Sequence, residues 1–489
     1  MRVLLVGVVS LLGCSPVVVS PDGGAGGGGN TAGGNTAGGS AAGGSVGGGM
    51  VAGGTAGGAS AGGSTAGGGA GGGSAGGATS GGTAGGAFDP CPPLPAPPAN
   101  AVVVSTVAAL RMALQNAQPG ATILVEDGTY DFSGGNYVYV DKPGVTLRGR
   151  SGDATRVIFD GNYATGNGQS IVNIAANDVT FADITVQRAY DHPIHVIPAF
   201  TNPTSVSGVR IYRVRLIDPG QQALKVNGDG AFMHTMNDGT VACSLMRLTA
   251  AGRTRIRDNC YTGGLDAHAA RNWTIRDNRI EGFWCPAGLS EHGIHCWKGC
   301  RDWTIERNVL VDNARGIGLG LGGATAGRTY PDNPCPGVSN YGAVGGVIRN
   351  NVIVTNDSQL QSSGAGFDTG IGLEQVCGNT QVVHNTVFST QAPRSSSIEW
   401  RFAGTRVTLT NNLTSHRQQQ RDGAMATQAG NVSNATAGMF VAPASADLHL
   451  RPGAAPIDQG APVPAGVADQ DLDGQPRGAM RDVGADEAN

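Results

Sequence analysis

Lysine is scarce in this chain: Lys142, Lys225 and Lys298 stand against 29 arginines. A lysine on a candidate site is therefore conspicuous. Basic charge is also lacking in excess, since 32 Lys and Arg face 36 Asp and Glu for a formal net charge of -4. That balance leaves no basic surface for a nucleic acid. The apolar run near the N-terminus is too short to span a membrane. Residues 22–87 are almost entirely Gly, Ala, Ser and Thr, with essentially no charge. Nothing there offsets the entropy of ordering, which excludes a folded domain and predicts a tether over 15–87. A coil of that length has an r.m.s. span of ~45 Å.

What is present from Asp89 onward is about 400 residues, ample for a large core. Residues 105–118 predict a short helix, with Ser105 or Thr106 as N-cap and Val107, Leu110, Leu114 and Ala117 at helical spacing. Pro119-Gly120 ends it, and a strand over 121–125 and the turn Asp127-Gly128-Thr129-Tyr130 follow. From Val145 a degenerate repeat sets in, with a period of roughly 23 to 43 residues as loops vary. Its clearest mark is a strand ending in Asn, at Asn278, Asn308, Asn351, Asn385 and Asn412, with Asn259 as a further candidate. One residue type recurring at one turn predicts a ladder of side-chain amides, each bonding its neighbour's turn. These residues are structural.

Three strands, 223–227, 264–268 and 293–297, share a second pattern. Apolar residues at the second and fourth positions alternate with polar or aromatic ones at the third and fifth, the period of a strand with one buried face. Stacked coil on coil, they place Lys225, Asp266 and His295 in one outward column and Asn227, His268 and Trp297 in another, with rungs about 4.8 Å apart. The register continues through 193–196 upstream and 316–320, 370–374 and 397–401 downstream. Gly318, Gly320 and Gly372 carry no side chain, so a ligand can approach the backbone there. Insertions are expected at 228–253 and 322–346 after this strand and at 283–292 and 355–369 before it. Loops lengthened around one face wall a groove.

Two resemblances extend this reading. Residues 1–14 hold one Arg, an apolar run and Leu11-Leu12-Gly13-Cys14, followed by Ser15, and resemble a bacterial lipoprotein signal with its lipobox. The resemblance implies lipidation at Cys14, the only contact with a membrane, and Ser15 implies the outer membrane or surface of a Gram-negative cell. A cleaved secretory signal is the alternative; both imply export. Eight cysteines then remain, an even number that in an exported chain favours disulfides over metal binding. Cys335 with Cys377 and Cys285 with Cys300 are the expected loop staples. No zinc spacing stands out.

The helix followed by Asp-Gly-Thr-Tyr resembles the N-terminal cap of right-handed parallel β-helix proteins of the pectate lyase type, where it covers the open end of the core. Residues 285–297, Cys-Pro-Ala-Gly-Leu-Ser-Glu-His-Gly-Ile-His-Cys-Trp, with 315–322 resemble bacterial β-helix repeat proteins. A broader likeness to polysaccharide lyases and polygalacturonase-like hydrolases covers most of 100–487. It implies an all-β, right-handed parallel β-helix over 88–489, of about ten coils and ~50 Å long, acting as a monomer on a polysaccharide. The end of the chain, about 440–489, resembles a terminal cap of secreted β-helix proteins. Asp469, Asp471, Asp473 and Gly474 there are spaced as in a calcium loop, but Met480 stands where a bidentate Glu is expected. A hydrogen-bonded capping loop is the other reading; no cofactor is firmly expected, with Ca²⁺ the one candidate.

As a lyase, the groove must neutralise a uronate carboxylate, abstract the neighbouring proton and assist the departing oxygen. Lys225, His268 and His295 are the candidate bases or acids, Asp266 orients them, Arg315 neutralises the carboxylate and Trp297 stacks on a sugar. Asn227, His292 and Glu374 complete the substrate surface. Asp266 beside Lys225 raises the amine's pKa, so the histidines are the better bases. The alternative is an inverting hydrolase using Asp266 with Glu291, about 6.5 to 9.5 Å apart, with Asp368 and Glu374 as further carboxylates. A third reading is glycan binding or adhesion without turnover. Each group also has a structural reading, as an ion pair, a histidine ladder or loop packing.

Overall fold

Strands of two to seven residues bury too little alone, and here they find parallel partners one coil away. The computed structural model describes residues 90–165, 170–228, 232–322, 328–338 and 341–488. The expected signal, its Cys14 and the tether lie outside the described residues. The described chain winds through one sheet of 12 strands and two of 10, each ordered coil by coil. Parallel strands joined by crossovers take the right-handed sense, and the fold is a right-handed parallel β-helix.

The core is a set of stacks. Leu224, Leu265, Ile294, Ile317, Ile371 and Ile398 follow one another at one inward position and are all fully buried. Each contributes about 1.5–3 kcal/mol of apolar burial. Helix α1 (Val107–Gln115) closes one end, with Thr106 Oγ1 accepting from the Ala109 N–H at 3.1 Å and Leu110 and Leu114 buried. It stops short of the expected Gln118 because Asn116 already caps it. A strand, Val102–Val104, precedes the helix and pairs with Thr122–Val125, a partner that three valines did not disclose.

The amide ladder is present and longer than expected. Asn278, Asn308, Asn351, Asn385 and Asn412 each donate their side-chain N–H to the Oδ1 of the next member at 2.9–3.0 Å, ending on Asn431. Each also donates to a backbone carbonyl of the coil before, as Asn308 does to Ile275. Residues just before the ladder, Asp277, Arg307, Asn350, His384 and Asn411, all have φ between 51° and 57°. This left-handed residue turns the chain once per coil, and the amide secures the turn. Asn259 is not a member; it lies in a loop before the strand Gly263–His268.

Among the described residues the cysteines form Cys91–Cys243, Cys260–Cys285, Cys296–Cys300 and Cys335–Cys377. The Cys335–Cys377 staple is as expected. Cys285 and Cys300 are not paired with each other: Cys285 faces Cys260 in the neighbouring loop, and the bend at Gly299 folds Cys300 back on Cys296. The C-terminal segment packs Phe440, Leu448, Leu450, Val483 and Ala485 against Val352, Val354, Phe388 and Leu413, forming a second core outside the coil. Its Asp471 accepts backbone N–H groups from Asp473, Gln475 and Glu487, the bonding of a capping loop. No helix of the described residues is long and apolar enough to cross a membrane.

Candidate functional site

Five strands carry the candidate residues: β1 (Gln222–Asn227), β2 (Gly263–His268), β3 (His292–Lys298), β4 (Arg315–Leu319) and β5 (Thr369–Glu374). The first column is as expected, with Lys225 opposite Asp266, Asp266 opposite His295, and His295 opposite Gly318. The second is broken. Asn227 faces His268, but the register shifts after Ala267 and sets Lys298, not Trp297, opposite His268. Trp297 is displaced by that bulge, yet its ring centroid still lies 4.7 Å from that of His268.

Lys225 is the hub of a compact cluster. Its ammonium donates to Asp266 Oδ2, to Tyr261 Oη at 2.9 Å and to His268 Nε2 at 3.2 Å. An ammonium has three protons, and all are engaged. Burial opposes the charge on Lys225, but Asp266 and Tyr261 outweigh it and raise its pKa. Burial likewise disfavours the Asp266 carboxylate, but Lys225 and His268 hold it well below the usual carboxylate range. Burial, then Lys225, pulls His268 down to about 4, so this ring is neutral. Burial and Asp266 push Tyr261 up to about 12.

Around this hub, His295 Nδ1 lies 3.0 Å from Glu291 Oε2 and 3.4 Å from Asp266 Oδ1. Burial disfavours its proton, but the two carboxylates raise it to about 9. Glu291, despite burial, is held below its ordinary value by His295. His292 is kept neutral by burial and by His295. Asn227 Oδ1 pairs with His195. Arg315 Nε donates to Asp368 at 3.0 Å, so this cation is tied to a loop carboxylate. Glu374 is raised by burial and stands 3.9 Å from Arg401.

Three expectations change here. The face is not an open groove at its centre, because Lys225, Asp266 and His295 are 6%, 2% and 1% exposed; Tyr261, His268, Glu291, Trp297, Arg315 and Glu374 form the half-buried rim. The bare glycines are not vacant: a Cβ on Gly318 would stand 2.5 Å from His292 Nε2, and one on Gly320 would meet the Glu374 carbonyl. Most of the segment 228–253 is not an insertion. It holds the strands Met236–Asn237, Thr240–Ala242 and Leu245–Arg247 of the next coil, too short for alternation to reveal. The insertion of that coil runs from Ala250 to Thr262 and delivers Tyr261, which the sequence reading missed. A tyrosine just before a groove strand was the only available signal. Two open cavities, about 300 and 410 Å³, lie elsewhere, beside Glu306 and Arg349 and beside Cys91 and Arg213; their arginines bond structural partners.

No family model matches the chain, and no curated protein matches it. Several solved structures are similar. Pectate lyase Pel9A has 16% identity over 77% of this chain and 90% of its own, with a TM-score of 0.48. An alginate lyase from Paenibacillus sp. str. FPU-7 has 14% identity over 68% and 99%, with a TM-score of 0.45. A polygalacturonase from Erwinia carotovora ssp. carotovora has 12% identity over 68% and 95%, with a TM-score of 0.35. At such identities chemistry has to be argued from the side chains.

Proposed function

We propose that this protein acts on an acidic polysaccharide and cleaves it at a uronate by β-elimination. The observation that carries the reading is the single ammonium of Lys225 joining Tyr261, Asp266 and His268 on the walled face. With its protons all donated, Lys225 is not the base. His268 is neutral and at the rim, and an incoming uronate carboxylate would take over the proton that its Nε2 now accepts. Lys225 then neutralises the carboxylate, and His268 abstracts the proton from the adjacent carbon. As the C–H bond breaks, a C=C bond forms and the C–O bond to the leaving sugar opens. Tyr261, which keeps its proton, protonates the departing oxygen. Asp266 positions Lys225, and Trp297 beside His268 offers an aromatic face for a sugar ring.

Hydrolysis by Asp266 with Glu291 is less well supported. A hydrolase needs one carboxyl protonated as acid, whereas both of these are held ionised. Glycan binding without turnover is favoured by one observation, the burial of the Lys225–Asp266–His295 column. The pectate lyase, alginate lyase and polygalacturonase named above are in keeping with a polysaccharide substrate, though the reading does not rest on them.

Incubating the full chain with acidic and neutral polysaccharides tests this, following near-ultraviolet absorbance and new reducing ends together. Unsaturated-uronate absorbance is expected, and Tyr261→Phe and His268→Gln should each lower kcat by about 10²–10⁴-fold. Reducing ends without absorbance would transfer the assignment to hydrolysis. Neither signal, with retention on a glycan column, would leave binding alone.

We also propose that Cys14 carries a lipid and anchors the protein at the outer membrane or cell surface, on the strength of residues 11–15. Expressed in a Gram-negative host, the chain should incorporate labelled fatty acid, and Cys14→Ser should abolish it; incorporation by the variant would refute the anchor.

A further inference from the structure

The buried His292 Nδ1 on the groove face has no hydrogen-bond partner, and it stands beside three further buried atoms, Glu291 Oε2, His295 Nδ1 and Asp266 Oδ1, that form an ion pair with one another. Orphaned buried groups are costly and call for an explanation. The four atoms converge. Glu291 Oε2 lies 3.0 Å from His295 Nδ1 and 4.0 Å from His292 Nδ1, and Glu291, His292 and His295 each present a donor atom within 4.8 Å of the others. Asp266 Oδ1 stands behind, 3.4 Å from His295 Nδ1. Bonds of roughly 2.0–2.2 Å to a tetrahedral ion would place donors about 3.3–3.6 Å apart, so a small swing of His292 inward and a slight opening of the Glu291–His295 pair are required.

We infer that Glu291, His292 and His295 bind one divalent transition-metal ion of the zinc type. Two imidazoles and one carboxylate favour such an ion over calcium or magnesium, which take all-oxygen shells. Three protein ligands leave a coordination position open. The supporting contacts are those that metal-binding histidines use: His295 directs its other ring nitrogen, Nε2, to the Gly320 carbonyl at 3.4 Å, which orients Nδ1 toward Glu291. His292 rests on the bare backbone of Gly318, where any side chain would expel it. Glu291, with 18% of its side chain exposed, is the entry.

The spacing hid this site. Residues 292 and 295 fall on opposite faces of a regular strand; they meet because His292 sits at the strand's first position, just after the 283–292 loop.

The test uses the full chain, stripped with a chelator and dialysed, then titrated with Co²⁺ and Zn²⁺. One equivalent of Co²⁺ is expected, with visible bands of a nitrogen-ligated ion that Zn²⁺ abolishes, and Zn²⁺ should raise the unfolding temperature. Losing a group that merely orients a metal ligand already weakens binding by about 10–100-fold, so Glu291→Gln should weaken it by about 100-fold or more. Circular dichroism is expected to be unchanged, and the metal-free unfolding temperature of the variant, which loses its ion pair with His295, serves as the baseline against which the loss of the ion is read. His292→Gln should behave alike. No uptake by the wild-type chain, equal uptake by Glu291→Gln, or displacement of Co²⁺ by equimolar Ca²⁺ would each overturn the site. Stoichiometry and spectrum do not depend on turnover, so this result and the elimination assay can fail separately.

Discussion

The Asn turn and the outward face of the groove sheet use one device, a column of polar side chains with one member per coil. They differ in uniformity. An amide both donates and accepts, so identical amides satisfy one another along the coil, and none of the five ladder residues from Asn278 to Asn412 has an unpaired buried atom. Lysine only donates and carboxylate only accepts, so the Lys225–Asp266–His295 column must balance charge member by member. It succeeds at Lys225, whereas at His295 one imidazole must serve both Asp266 and Glu291 while the neighbouring His292 Nδ1 goes unpaired. A uniform column holds the coil together; a mixed one is chemically poised, and its unfilled bonds mark where a ligand belongs.

Removing one member of each column should separate the two. Lys225→Met leaves the Asp266 carboxylate buried without its partner, and losing one half of a buried pair costs about 3–5 kcal/mol. Chemical denaturation should show that loss, and Lys225→Met/Asp266→Leu should recover most of it; no recovery would mean that the two charges are not coupled. In the ladder, Asn351→Ala strips a partner from the Asn308 amide and from the Ile305 carbonyl. At about 1–3 kcal/mol for a group left unpaired, a loss of about 2–3 kcal/mol is expected. Here Asn351→Asp should not rescue, because a carboxylate cannot donate to Ile305. A stable Asp variant would show that the ladder's donors matter little.

The smallest effect concerns a histidine outside both columns. His449, between Asp473 and Asp447, is raised to about 10, chiefly by Asp473 and against its burial, from an ordinary value of 6.5. A raised imidazole contributes stability that is full below the ordinary value and declines as pH rises toward the folded one. The C-terminal segment should therefore loosen between about pH 6.5 and 10, measurable by hydrogen exchange of residues 447–450. His449→Gln should flatten that dependence. With 40% of its side chain exposed, the residue is well screened and the effect modest.

Much of the site was legible because a coil turns sequence spacing into stacking. Lys225, Asp266 and His295 could be aligned from alternation alone, since each strand keeps one inward apolar position. Trp297 was misplaced because a one-residue bulge leaves no mark in a local pattern. Tyr261 was missed because its coil begins with strands of two and three residues, below the length at which alternation can be counted. Cys285 was paired wrongly because loops, unlike strands, have no register to extrapolate.

The coil, its amide ladder, its capping helix and the face that carries the charge can be read from local periodicity repeated many times. Only the tertiary structure decided which atoms are left without partners. That depends on distances of a few tenths of an ångström within and between coils, set by loop lengths and the entry of one strand, and no local pattern encodes them. The candidate metal site at Glu291, His292 and His295 belongs to this second kind: three neighbours in sequence whose meeting is fixed by the irregular entry of one strand.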